Sequence, residues 1–230
     1  MAIFAGGLAT RLRPLSDDRP KALVPVAGRP FVEYQLELLR NQGVEDVVLC
    51  VGHLAGQVRD HVGDGRAFGV RVRYSDDGGR PLGTAGALVN AAGLLGDAFL
   101  VLNGDTYLET DHAALAEAFR AGGRLGLMAV FHNRGRGEPS NVRLEDGRIV
   151  SYDKRAPDPR AEHVDAGLGV LRADALELVP ATRPADLADL YRELLGRDQL
   201  DVFATERRYY EIGSPEGLDD FTRQLERARA

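Results

Sequence analysis

Short apolar runs alternate with longer stretches of helical period through the first half of this chain, and no other feature narrows the possible folds as much. Strand-like runs stand at residues 2–5, 47–51, 70–74 and 99–102. Between the first two, Phe31, Tyr34 and Leu38 share one helical face flanked by Val32, Leu36 and Leu39, and Gly43 stands where a helix stop belongs. A second helix over 83–92 is entered through glycines. Asp111 is placed as the N-cap of a third, which carries Leu115, Ala118 and Phe119 inward and closes at Gly122-Gly123. Strand, helix, strand repeated in this way is the pattern of βαβ units on a largely parallel, buried sheet.

From about residue 125 the texture changes. Residues 125–130, 142–144, 149–152 and 164–171 read as strands separated by Glu-Asp-Gly and Pro-rich turns. Near the end, Ser214-Pro215-Glu216 combines an N-cap, a proline at the first helical position and an acid in the first turn. Leu218, Phe221 and Leu225 then give a final helix its inner face. No repeat, low-complexity tract or linker interrupts the chain. The expected architecture is therefore α/β, a single Rossmann-like domain over 1–230 with a mostly parallel sheet flanked by helices.

Charge and cysteine usage remove several function classes. The formal net charge is -6, and no run of lysines or arginines could track a phosphate backbone, so nucleic acid and an anionic membrane are poor partners. Nowhere do about 18 apolar residues run uninterrupted, and the start lacks a basic segment followed by an apolar one, so a soluble, cytoplasmic protein is expected. Cys50, the one cysteine, lies inside an apolar run and reads as a buried strand thiol. The five histidines lack metal-ligand spacing, and His53, His61 and His163 read as surface or hinge residues.

The segment carrying the most chemistry is Ala5-Gly6-Gly7-Leu8-Ala9-Thr10-Arg11-Leu12-Arg13-Pro14-Leu15, followed by Pro20-Lys21-Ala22-Leu23-Val24-Pro25-Val26. Paired glycines at a strand end let backbone N–H groups come close to a triphosphate, and fixed cations then offset the charge that builds on the leaving oxygens. Arg11, Arg13 and Lys21 can supply those cations. Asp105, in Leu102-Asn103-Gly104-Asp105, stands at the carboxyl end of an apolar strand, where open α/β sheets place their ligand sites. The loop Gly-Gly-Leu-Ala-Thr-Arg lacks the Gly-x-Gly-x-x-Gly spacing of a dinucleotide-binding dehydrogenase.

Together these segments resemble the signature of the sugar-1-phosphate nucleotidyltransferases, the superfamily that makes NDP-sugars. Its opening is a glycine-rich loop, then Thr-Arg-Leu-x-Pro-Leu, then Pro-Lys-x-Leu-x-Pro-Val. The resemblance continues in the family's order through Pro81-Leu82-Gly83-Thr84-Ala85-Gly86-Ala87-Leu88, Leu102-Asn103-Gly104-Asp105, Tyr152-Asp153-Lys154, Val164-Asp165-Ala166-Gly167 and Glu211-Ile212-Gly213. It departs at Ala9, where a third glycine is common, at Asp153, where glutamate is commoner, and at Glu211, which stands where an aspartate is usual. The general look is that of compact guanylyltransferases of heptose and mannose 1-phosphate, with uridylyltransferases of recycled amino sugars as neighbours.

The resemblance implies roles. Ala5, Gly6, Gly7, Thr10, Arg11 and Lys21 would hold the nucleotide, with Gly83 and Thr84 at the entry to a helix beside it. Asp105 and Glu211 would bind Mg²⁺, a hard ion suited to carboxylates, phosphates and water. The family reads its base near Asp76 and Asp77. Either carboxylate could accept the two adjacent donors of guanine, which favours GTP. Asn141, Lys154, Asp165 and Gly167 would take the sugar 1-phosphate. Catalysis by Arg11, Lys21 and Asp105 would rest on positioning and charge neutralisation, since a phosphate nucleophile is already anionic. The expected partners are thus an NTP and a sugar 1-phosphate, on a monomer or homodimer without the C-terminal β-helix of larger relatives. A UTP-dependent amino-sugar 1-phosphate uridylyltransferase, a non-catalytic nucleotide-sugar sensor and a choline-phosphate cytidylyltransferase are the competing readings. The last would need a cation cage built from Tyr and Phe, because the chain has no Trp.

Overall fold

The computed structural model describes residues 1–7, 10–135, 139–180 and 184–229, so Ala9 lies outside the described residues. The chain divides into two compact units that interleave in sequence. The first comprises Met1–Pro81, Leu102–Tyr107 and Tyr209–Ala230, and the second Leu82–Val101 and Leu108–Arg208. The class is α/β, with sheet strands flanked by helices.

In the first unit, strands Ala2–Phe4, Asp46–Val51 and Arg71–Asp76 pair in parallel, with Ala2 opposite Val48 and Val51 opposite Asp76. Strand Asp46–Val51 is buried from Val47 onward, which is why it is apolar throughout rather than alternating. Helix Phe31–Asn41 connects the first two strands, and its buried residues include Phe31, Val32, Tyr34, Leu36, Leu38 and Leu39, the stripe read from the sequence. The C-terminal helix Pro215–Arg229 closes the unit. Its Phe221 is fully buried among Leu12, Val24, Val26, Phe31, Tyr34 and Ile212. The rings of Phe31 and Tyr34 each meet Phe221 edge-on at 5.8 Å. Ser214 caps this helix through its Oγ, which accepts from the Gly217 N–H at 3.1 Å.

In the second unit, strand Gly126–His132 runs antiparallel to His163–Arg172 and parallel to Leu200–Thr205. Strands Val142–Glu145 and Arg148–Tyr152 form a hairpin. Its two-residue turn, Asp146 and Gly147, has φ of 48° and 72°, as the twist of a tight hairpin requires. Asp111 caps helix His112–Gly122 by accepting from the N–H groups of Ala113 and Ala114.

Several elements had no counterpart in the sequence reading. Helix Ala55–Val62 buries only Val58 and Val62, too few residues to make a visible stripe. Strands Thr106–Leu108 and Tyr209–Glu211 have three residues each and pair with one another, below the length at which alternation shows. Helix Leu187–Gly196 and strand Leu200–Thr205 are longer. The helix has its N-cap in Asp186 and its stripe in Leu187, Leu190, Tyr191 and Leu194, so that signal was present in the sequence.

Candidate active site

The acidic centre of the first unit is assembled from three distant pieces of sequence. Asp105 sits in the turn after strand Ala98–Leu102, and the turn is held tightly. The Thr106 N–H donates to the Asn103 carbonyl at 3.2 Å, and the Ile212 N–H donates to the Asp105 carbonyl at 2.9 Å, tying the turn to the segment that carries Glu211. Gly104 lies against the Phe4 carbonyl, where a β-carbon would collide. Lys21 leads a short 3-10 turn, Lys21–Leu23, anchored by the buried side chains of Ala22 and Val24. Its ammonium donates to Asp105 Oδ2, and both side chains are largely buried.

Gly213 explains why these groups can converge. A β-carbon there would overlap Glu211 Oε1 and stand 3.1 Å from Lys21 Nζ and 3.2 Å from Asp105 Oδ2. Two carboxylates and an ammonium therefore line the space left by one missing methyl group. Arg11 adds a second cation, with Nη2 3.7 Å from Glu211 Oε1, and is two-thirds exposed. Among the described residues no group of three or more His, Cys, Asp or Glu could hold a metal ion. The two carboxylates of this group are those of Asp105 and Glu211.

Ala5, Gly6, Gly7, Thr10, Asp76 and Asp77, also expected at the nucleotide end, are in the same unit, whereas Gly83 and Thr84 are in the second. The Ala5 N–H donates to the Cys50 carbonyl at 2.8 Å. Gly6 packs with its β-carbon position 3.2 Å from the Gly52 nitrogen, whereas no described atom lies within 4 Å of that position at Gly7. Thr10 opens the 3-10 turn Thr10–Leu12, pinned by buried Leu12. Asp76 and Asp77 form consecutive side-chain turns, accepting from the N–H groups of Gly78 and Gly79 at 2.9 Å each. Asp76 also accepts from Arg59 at 3.0 Å. The Gly78 N–H and then Arg59 hold its carboxyl below the usual range. The Asp77 carboxylate rests on Gly52, where a β-carbon would collide.

In the second unit, Asn141, Lys154, Asp165 and Gly167 meet. Asp165 Oδ1 accepts from the Gly167 N–H at 3.0 Å, and Asp165 Oδ2 lies 3.0 Å from the Lys154 ammonium. The Asp165 N–H donates to Asn141 Oδ1 at 2.9 Å. Gly167 has φ of 74° at a register shift in its strand, a bulge that a residue with a β-carbon would strain. Gly83 and Thr84 lie elsewhere in this unit. Gly83 has φ of 70° and faces the Ala185 carbonyl, which also accepts from the Ala85 and Gly86 N–H groups. The Thr84 hydroxyl donates to Asp186 at 3.2 Å and accepts from the Leu187 N–H at 2.7 Å. Both residues are therefore engaged with the start of helix Leu187–Gly196. Of the histidines, His61 bonds Glu33 at 2.9 Å and His163 stacks on His132 at 4.8 Å.

Residues 2–227 match the family described as Nucleotidyl transferase. The chain belongs to that family. Its relatives include a mannose-1-phosphate guanylyltransferase of Mycobacterium tuberculosis, 31% identical over 96% of this chain and 62% of the relative. A glucose-1-phosphate thymidylyltransferase of Streptomyces antibioticus is 34% identical over 80% of this chain and 52% of the relative. The chain spans about half to three-fifths of the length of such curated relatives. Among solved structures, HddC from Yersinia pseudotuberculosis complexed with GMP-PN superposes with a TM-score of 0.79 at 26% identity. It covers 97% of this chain and 98% of that one.

In this chain, three supporting residues were given no role of their own by the sequence reading. Gln35 is 1% exposed, and its Nε2 donates to both the Asn103 and Thr106 carbonyls, at 3.0 and 2.9 Å, bracketing Asp105. A lone amide on the apolar face of helix Phe31–Asn41 was its only trace in sequence. Tyr152 donates its hydroxyl to Asp165 Oδ2 at 3.0 Å. Burial, then the Asp165 charge, pushes its phenol far up. Gly213 stood in the sequence only as the end of the motif Glu211-Ile212-Gly213; that it also makes room for Lys21 and Asp105 left no local trace, because both are distant in sequence.

Proposed function

We propose that this chain transfers a nucleoside monophosphate from an NTP, GTP preferred, to a sugar 1-phosphate, releasing pyrophosphate, and that residues 1–230 act as one nucleotidyltransferase domain. The observation that carries this reading is the grouping of Lys21, Asp105 and Glu211 around the space beside Gly213, with Arg11 at its edge. Fixed cations beside two carboxylates that could hold a divalent ion suit such a group to a polyphosphate. Asp105 and Glu211 would hold Mg²⁺, which neutralises phosphate charge when bound. Arg11 offsets charge on the departing pyrophosphate, and Lys21 does so on the reacting phosphates. Gly7, open at its β-carbon position, lets the backbone approach the nucleotide.

At the acceptor end Lys154 takes the phosphate of the sugar 1-phosphate, fixed by Asp165 and supported by Asn141 and Gly167. No general base is required, because the attacking phosphate oxygen is already an anion. The preference for GTP rests on the carboxylates at 76 and 77, on the guanylyltransferase relative and on the neighbour complexed with GMP-PN. Asp77 is the better candidate, because both Asp76 oxygens already accept from Gly78 and Arg59. Its working form is a cytoplasmic monomer or homodimer.

A matrix of four NTPs against a panel of sugar 1-phosphates, scored for pyrophosphate with Mg²⁺, tests the reading. Turnover dependent on both substrates, best with GTP, is expected. Best turnover with UTP or dTTP would overturn the base assignment, and no turnover with any pair would overturn the activity.

A further inference from the structure

Tyr152 ends strand Arg148–Tyr152, and Lys154 stands two residues beyond it in the bend that follows. Both reach one oxygen, Asp165 Oδ2, at 3.0 Å. Asp165 Oδ1 is meanwhile taken by the Gly167 N–H. The carboxylate thus spends three of its roughly four acceptor directions on the protein itself. Its side chain is 6% exposed, while that of Lys154 is 43% exposed. A buried anion enclosed by its own chain is badly placed to read a ligand and well placed to fix a cation that does.

We propose that Tyr152 is a positioning residue, and that the Tyr152–Asp165 pair serves to present the Lys154 ammonium to an acceptor phosphate. This rests on the reading of Lys154 as the group that takes the sugar phosphate. The phenol is suited to the task. Tyr152 is 4% exposed, and its ring packs edge-on against Tyr191 at 6.2 Å, so the hydroxyl is held in one place. Burial and the Asp165 charge keep it protonated, so it remains a donor at every physiological pH. Its hydrogen bond fixes the carboxylate's rotation, and the carboxylate in turn fixes where the ammonium sits. Asp153 steadies the turn that carries Lys154 by accepting from the Arg155 and Ala156 N–H groups.

Tyr152→Phe removes one oxygen and keeps the ring, so the fold should survive. Calorimetry with mannose 1-phosphate, glucose 1-phosphate and inorganic phosphate would be run on the wild type, Tyr152→Phe, Lys154→Ala and the double variant. Loss of a hydrogen bond to a charged group should weaken the tightest of these ligands by about tenfold or more in Tyr152→Phe, with NTP affinity unchanged. In the Lys154→Ala background the same change should have almost no further effect, because Tyr152 acts through Lys154. A Tyr152→Phe protein that binds these ligands like the wild type, or effects that simply add, would overturn the positioning role and leave the function intact. Wild-type protein that binds none of the three would overturn both.

Discussion

Lys21 and Asp105 share a hydrogen bond across 84 residues of sequence, in the part of the first unit where Glu211 and Gly213 also arrive. Such a pair is held by the backbone around it. The turn carrying Asp105 is tied by Gln35 and Ile212, and the turn carrying Lys21 by buried neighbours. The proposed chemistry at phosphate draws on that rigidity, because charges fixed in advance need not reorganise as the transition state forms.

Asp105→Asn keeps the shape of the side chain and removes its charge. Turnover should fall by at least about two orders of magnitude, since losing a metal-binding carboxylate forfeits several kcal/mol of charge stabilisation. Circular dichroism should remain unchanged, and EDTA should abolish activity in the wild type. Full activity in the variant or in EDTA would remove Asp105 from the site.

Two glycines separate site from scaffold. Gly213→Ala places a methyl group on Glu211 Oε1 and within 3.2 Å of Asp105 Oδ2, all ends of side chains. The protein should fold, with turnover down by about tenfold or more and a higher Mg²⁺ requirement. Gly104→Ala instead meets the Phe4 backbone carbonyl. Backbone cannot swing aside, so thermal unfolding should show a loss of about 2 kcal/mol or more.

Much of this was legible in sequence wherever periodicity or a motif concentrated the signal. The stripe Phe31, Tyr34, Leu38, the caps Asp111 and Ser214, and the strand leading to Asp105 all read directly. What was lost depends on three-dimensional convergence. Nothing in local sequence says that Gln35 brackets Asp105 or that Tyr152 reaches Asp165, since each partner is remote and each bond joins residues of different elements. Helix Ala55–Val62 was lost for a different reason, having too small a buried face to stand out.

Stability should fall on mild acidification through His112. Burial pushes its imidazole down to about 4, with the nearby Asp111 charge opposing in part. The unfolded chain binds this proton near pH 6.5 and the folded protein does not, so the stabilising contribution is whole above 6.5 and is lost as pH falls toward 4. The full loss is about 3 kcal/mol. Urea melts between pH 7 and 4 should show that slope, and His112→Leu should flatten it. An unchanged slope would mean the imidazole is protonated in the fold.

Base choice should depend more on Asp77 than on Asp76. Asp77→Asn should reduce the GTP to UTP ratio in kcat/KM by about tenfold, because an amide cannot accept both guanine donors. Asp76→Asn should loosen the Arg59 contact and leave that ratio nearly unchanged. A larger effect at Asp76 would reverse the assignment.

The most direct test of nucleotidyl transfer follows the α-phosphorus. With α-labelled NTP and the sugar 1-phosphate that reacts best, the sugar phosphate oxygen should form a bond to the α-phosphorus as the bond to the β-phosphate breaks. All transferred label should then appear in the NDP-sugar, with one unlabelled pyrophosphate released per turnover. Label recovered as free nucleoside monophosphate, with no NDP-sugar formed, would contradict the account.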